Sequence, residues 1–255
     1  MTSGFDETPQ TPPAAGAASP RKSGTQRIFG ALFSPGETFR EIAEQPDFLA
    51  PLILIIAISL LSSIVAVPRI DFESVVREQM MQSNPDMSPD DADRAARMGG
   101  AFAKVMAYAS PLLTLIFAVI IAAVLLFAFR LMGGEGTFKQ AFSVTLYSWV
   151  PAMVAAIVGA IILLGRGTVS AEELQTMVMS NPGFLVDPKE NPIGFAFLSS
   201  IDLFTIWTIV LLIFGFSYVA RVSRTRATVI VVSLWVVLIL CKVGFAALGA
   251  SRMKA

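Results

Sequence analysis

The feature that most constrains this chain is a run of amino acids with nothing to offer water. From Val105 to Phe129, between Lys104 and Arg130, there is not one charged side chain. A bilayer's hydrocarbon core, roughly 30 Å thick, is crossed by about 20 residues rising 1.5 Å each. Five segments of this chain meet that requirement: 49–67, 108–132, 144–164, 201–220 and 228–248. Charges fall mostly between them, with Arg130, Asp202 and Lys242 near span ends. The expected fold class is therefore all-α: a polytopic membrane protein with five transmembrane helices plus short amphipathic interfacial helices.

Composition agrees. Charged residues make up 15% of the chain, against about a quarter in soluble domains. Formal net charge is zero, and no basic cluster interleaves with aromatics, so no nucleic-acid partner is expected. The chain has no histidine and a single cysteine, Cys241, inside an apolar run. Without histidine it lacks the commonest general base and the commonest metal ligand. No metal site, cofactor site or catalytic pair is expected, and the chain reads as a non-enzyme.

The first 26 residues are rich in Pro, Ala, Gly, Ser and Thr, and cannot bury enough apolar surface to offset ordering entropy. They are expected to be a disordered tail. No apolar stretch follows a short basic start, so they do not read as a secretory signal peptide. Next, Ser34-Pro35-Gly36-Glu37 fits a capping box, with Ser34 as N-cap and Pro35 at the first helical position. Phe33, Phe39 and Ile42, with Phe29 and Leu32, gather on one side of the expected helix, and Arg40, Glu41 and Glu44 point elsewhere. This is the pattern of a helix lying in the membrane interface ahead of the first span.

Two long polar connections follow. In the first, 68–105, a helix over 71–82 is broken at Ser83-Asn84-Pro85, and Ser88 caps a second helix. In the second, 165–200, Ser170 and Glu173 cap a short helix over 171–179. Between spans two and three lies the tight loop Gly133–Gln140, whose glycines lack the order of a phosphate-binding loop. Pro111 lies near the start of span two, and Pro151 lies inside span three, where it frees a carbonyl.

Raw Lys/Arg counts do not orient the chain, but short loops carry the signal best. Arg221, Arg224 and Arg226 crowd one short linker without an acid, and Arg130 and Lys139 flank the other short loop. Both long connections are net acidic. The expected orientation is N-terminus cytoplasmic and C-terminus outside. Asp202, in the first turn of span four, is the one intramembrane ionisable candidate. It reads either as an interfacial carboxylate at a helix N-terminus or as an ion or proton site. An internal repeat is also visible: Ser83-Asn84-Pro85 echoes Ser180-Asn181-Pro182, and Leu125–Phe129 echoes Leu212–Phe216.

The order of three features resembles the bacterial branch of the Yip (Ypt-interacting protein) domain family. These are F-S-P-G-E-T-F-R-E-I (Phe33–Ile42), the long first connection, and G-G-E-G-T-F-K-Q-A-F…Y-S-W-V-P (Gly133–Pro151). The resemblance implies a cytosolic N-terminal region, five membrane helices, no known enzymatic activity and, for a bacterial member, an inner-membrane location. It divides the chain into a tail, 1–26, and a Yip-like five-span domain, 27–250. Eukaryotic relatives are associated with Rab GTPases and vesicle traffic. Their D-L-Y-G-P-type signature is absent here, so no binding residues carry across. Two functions stay open: a scaffold or interaction protein with a membrane or cytosolic protein partner besides the lipid bilayer, and a small transporter or channel.

Overall fold

The computed structural model describes residues 22–84, 86–170, 173 and 176–252. Among these the chain is helical, apart from turns and one isolated bridge between Ile70 and Val169. Four helical stretches are long and apolar enough to cross a membrane: Leu49–Arg69, Ser110–Leu131, Phe138–Leu164 and Arg224–Ser251. Pro192–Leu198 and Leu203–Val219 form a pair bent by 46°. Taken as one broken span, that pair supplies the fifth crossing. The outer surfaces of these stretches are densely apolar, with Ile53, Phe127, Ile161 and Phe245 all well exposed. Only lipid accommodates a surface of that kind on this scale.

Two helices precede the first span: α1 (Gly24–Phe33) and α2 (Pro35–Glu44). They form an antiparallel hairpin that turns at Ser34. Span one is α3 (Leu49–Ala66). The first long connection holds α4 (Phe72–Ser83) and α5 (Pro89–Tyr108), capped by Asp71 and Ser88. These two pair as a helical hairpin, with an Arg77–Asp93 ion pair at 2.6 Å. Then come α6 (Ser110–Leu131), α7 (Phe138–Ser148), α8 (Val150–Leu164), α9 (Pro192–Leu198), α10 (Leu203–Val219) and α11 (Arg224–Arg252).

Several expectations need correction. Span three begins at Phe138 rather than near 144, because Thr137 and Gln140 form a true capping box that ends the loop early. Span four is not one rod over 201–220. It breaks at 199–202, where Asp202 adopts an extended backbone and caps α10. Ser34 does not cap α2 with its side chain. Its N–H closes α1 by donating to Gly30 O at 2.8 Å, and its backbone is not in the extended conformation a cap needs. Glu37 turns instead to Lys22 Nζ, 2.7 Å away. The tail ends sooner than expected: Ser23 and Gln26 make a capping box that starts α1, so residues 22–26 are ordered. The rest of that expected tail, 1–21, lies outside the described residues. In the second long connection Ser170 and Glu173 do form their reciprocal bonds, at 2.9 and 3.2 Å. Residues 171, 172, 174 and 175 of the helix expected there lie outside the described residues.

The prolines act where the reading placed them. Pro111 sits in the first turn of α6, just after a break at Ala109. Lacking an N–H, it leaves the Ala107 carbonyl without its helical donor. Ser63 Oγ from α3 lies 3.2 Å from that carbonyl and 2.9 Å from Ser110 Oγ. Pro151 follows a similar break at Trp149, between α7 and α8.

The centre of the bundle is α7, in which every residue from Ala141 to Ser148 is buried. It packs on α6 and α10. The two echoed segments meet here: Phe129 and Phe216 stack with centroids 4.8 Å apart and planes 14° from parallel. Gly215 lets α7 and α10 close. A Cβ there would collide with Val144 Cγ1 and lie 3.0 Å from Phe39 Cδ1.

Candidate interaction surface

The end of the bundle carrying the two short loops collects the three segments singled out in the sequence. The first is the α1–α2 hairpin. Its anchor is Arg27, an arginine with no exposed surface. Its Nε and Nη2 donate to Glu41 Oε1 at 3.1 and 2.7 Å, and its Nη1 donates to Gln45 O at 2.9 Å. A buried guanidinium is tolerable only when its donors are satisfied in this way. The clamp holds the start of α1 to the end of α2. Gln140 Nε2 ties α2 to α7 by donating to Ala43 O at 2.6 Å.

Phe39 and Ile42 are wholly buried, in one cluster with Val144, Tyr147, Leu211 and Phe216. Phe33 is 76% exposed and Phe29 60%. The one apolar side expected of Phe33, Phe39 and Ile42 is thus two sides. Phe39 and Ile42 plug the groove between α7 and α10, and Phe33 faces outward. The turn at Ser34 separates their helices, so spacing along the chain does not place them on one face.

The second segment is the loop after α6. Gly133 and Gly136 take positive φ values of 80° and 116°, which only glycine adopts without strain. At Gly134 a Cβ would fall 3.0 Å from Ala220 Cβ, and Glu135 N–H donates to Ala220 O at 3.0 Å. These glycines bring two backbones together rather than cradling a phosphate. The third segment is the linker after α10. Arg221, at φ 53°, pairs with Glu135 at 3.1 Å. Arg224 lies 4.3 Å from the Phe214 ring centroid, and Arg40 lies 5.6 Å from that of Tyr218. Such cation–ring contacts fix long side chains at an otherwise wet surface.

Asp202 lies at the opposite end. Its carboxylate accepts from Thr205 N at 2.9 Å and from the Ser180 hydroxyl. Lys242 reaches the same break in span four, donating to Ser199 Oγ at 2.8 Å. The structure therefore puts Asp202 among capping partners and does not bring it to the face formed by the three segments. Sequence reasoning missed Arg27, Tyr218 and Lys242 as organising residues. Arginine at the very start of an ordered helix, ahead of an S-P-G turn, was the available signal for Arg27.

An all-helical, multi-span bundle with an N-terminal hairpin plugged into one end defines a polytopic integral membrane protein. The chain belongs to the Yip1 family: the Yip1 domain model matches residues 29–245, which run from within the first helix of the hairpin to within the last span. It is similar to Membrane protein YknW of Bacillus subtilis (strain 168), at 22% identity over 214 residues, covering 83% of this chain and 86% of that protein. No solved structure matches the chain.

Proposed function

We propose that this chain is a non-enzymatic membrane scaffold whose short-loop end is its working face. In this reading the domain spans 27–250, sits in a bacterial inner membrane and turns that face to the cytoplasm. The observation that carries it is convergence: segments far apart in the chain, Phe33–Ile42, Gly133–Gln140 and Tyr218–Arg226, meet at one end of the bundle. The Arg27 clamp fixes the hairpin itself, and the Gln140–Ala43, Glu135–Arg221 and Arg40–Tyr218 contacts tie the three segments to one another. Fixed geometry with exposed Arg, Glu and aromatic groups suits recognition of a protein partner. The short basic loops suit the cytoplasmic side.

Site-specific photocrosslinkers at Glu135 and Arg221 in intact membranes test this. A discrete protein adduct at those positions, absent when the crosslinker sits at Lys104, is expected. Adducts to lipid alone at every position would remove the scaffold reading. A reporter fused at Ala255 is expected to report the outside, and a cytoplasmic signal would reverse the orientation or make the number of crossings even.

A further inference from the structure

We propose that the notch between Arg40, Tyr218 and Arg224 seats the phosphate of an anionic membrane phospholipid. Two guanidiniums converge on one phenol ring. Arg40 stands over the Tyr218 ring, and Arg224 Nη2 lies 3.4 Å from the Tyr218 hydroxyl. Neither arginine makes an ion pair among the described residues, whereas Arg27, Arg77 and Arg221 each hold a carboxylate. Like charges held close without an acid between them are unfavourable, and a shared anion relieves that. Gly36 backs the notch: a Cβ there would be in ordinary contact with Tyr218 Oη at 3.7 Å and Arg224 Nη2 at 3.9 Å. Glu37, the neighbouring acid, is bonded to Lys22 at 2.7 Å and feels Arg40 only as the smaller of its two cations.

The level of the notch selects lipid over free phosphate. One candidate crossing ends at Val219 and the next begins at Arg224, so the arginines stand at headgroup height. Phe33, three residues before Gly36 at the hairpin tip, is 76% exposed and offers an acyl chain an apolar wall. Guanidinium is the group best matched to phosphate oxygens, and basic residues at this level favour anionic lipids.

The test is native mass spectrometry of the full chain released from vesicles of equal phosphatidylglycerol and phosphatidylcholine. The wild type is expected to retain phosphatidylglycerol preferentially. That preference should fall roughly fivefold in R224Q and about thirtyfold in R40Q/R224Q, with R40K/R224K keeping most of it and R94Q/R97Q unchanged. Circular dichroism establishes that each variant is folded. If the double variant fails to fold, R224Q, altering an exposed side chain, decides alone. Equal retention of both lipids by the wild type, or full retention by folded R224Q, overturns the proposal. So does displacement of the lipid by millimolar inorganic phosphate, which makes free phosphate the ligand. Stronger lipid retention after deletion of residues 1–21 also overturns it, because the acids Asp6 and Glu7 would then be the native occupant.

Discussion

Replacing Arg27 with alanine removes three donors at once. Glu41 loses two charge-assisted bonds, at 3.1 and 2.7 Å, and the Gln45 carbonyl loses one at 2.9 Å. Breaking a fully buried ion pair costs about 3–5 kcal/mol. Glu41 keeps 21% of its side chain in solvent and still accepts from the Lys22 N–H at 3.2 Å, so the carboxylate is partly compensated and the lower end applies. The expected destabilisation of the hairpin is roughly 3 kcal/mol, or about 150-fold in its opening equilibrium. Hydrogen exchange in nanodiscs reads this directly. Amides of 24–44 should lose protection by about two orders of magnitude in R27A, while those of α6 and α8 hold theirs. R27M/E41L, which removes both charges and keeps apolar bulk, should recover most of the loss. Unchanged protection in R27A would refute the argument that this clamp holds the hairpin. Equal loss across every helix would refute the argument that the hairpin opens as its own unit.

Three further outcomes follow from the packing. Gly215→Val drives a branched side chain into Val144 and Phe39, and should cost at least about 2 kcal/mol by overpacking; an unshifted thermal midpoint in detergent would count against the close approach of α7 and α10. Ser63→Ala removes the hydroxyl beside the Ala107 carbonyl freed by Pro111 and should cost roughly 0.6–1.7 kcal/mol; the same melting assay checks it. Lys22, bonded to Glu37, holds that carboxyl below the usual glutamate range. A depressed acid keeps its contact above its unfolded pKa and loses it as pH falls through the lowered one, so Lys22 should stay docked at acidities that protonate an ordinary glutamate. An NMR titration of the Glu37 carboxyl with an unshifted midpoint would contradict this.

The spans were legible because lipid is an unambiguous solvent: Leu49–Arg69 and Ser110–Leu131 match the sequence limits within two residues. The start of span three was not. Its first turns, Phe138–Thr145, mix polar with apolar residues, and those from Ala141 onward are covered by protein rather than lipid. There Ser143 and Thr145 return their hydroxyls to Lys139 O and Ala141 O, at 2.7 and 2.9 Å. Hydropathy reports contact with lipid, not burial inside a bundle. The same distinction explains the hairpin. An apolar spacing announces a face but not what covers it, so Phe39 and Phe33 looked alike and ended on different sides. The candidate surface was half visible. Its motifs were read one by one, but the meeting of Arg40 with Tyr218 depends on contacts far along the chain, which no local pattern encodes.

The plug formed by Phe39 also sets an order of events during synthesis. Its groove is lined by Val144 and Gly215, which leave the ribosome long after Phe39 does. At about 5–20 residues per second that is a wait of roughly ten seconds or more. Through that interval Phe39 and Ile42 lack the groove that covers them in the finished bundle. The Phe39 side of the hairpin can therefore close on the bundle only after α10 has been made, so that one of the earliest-made helices of this domain is among the final pieces to dock.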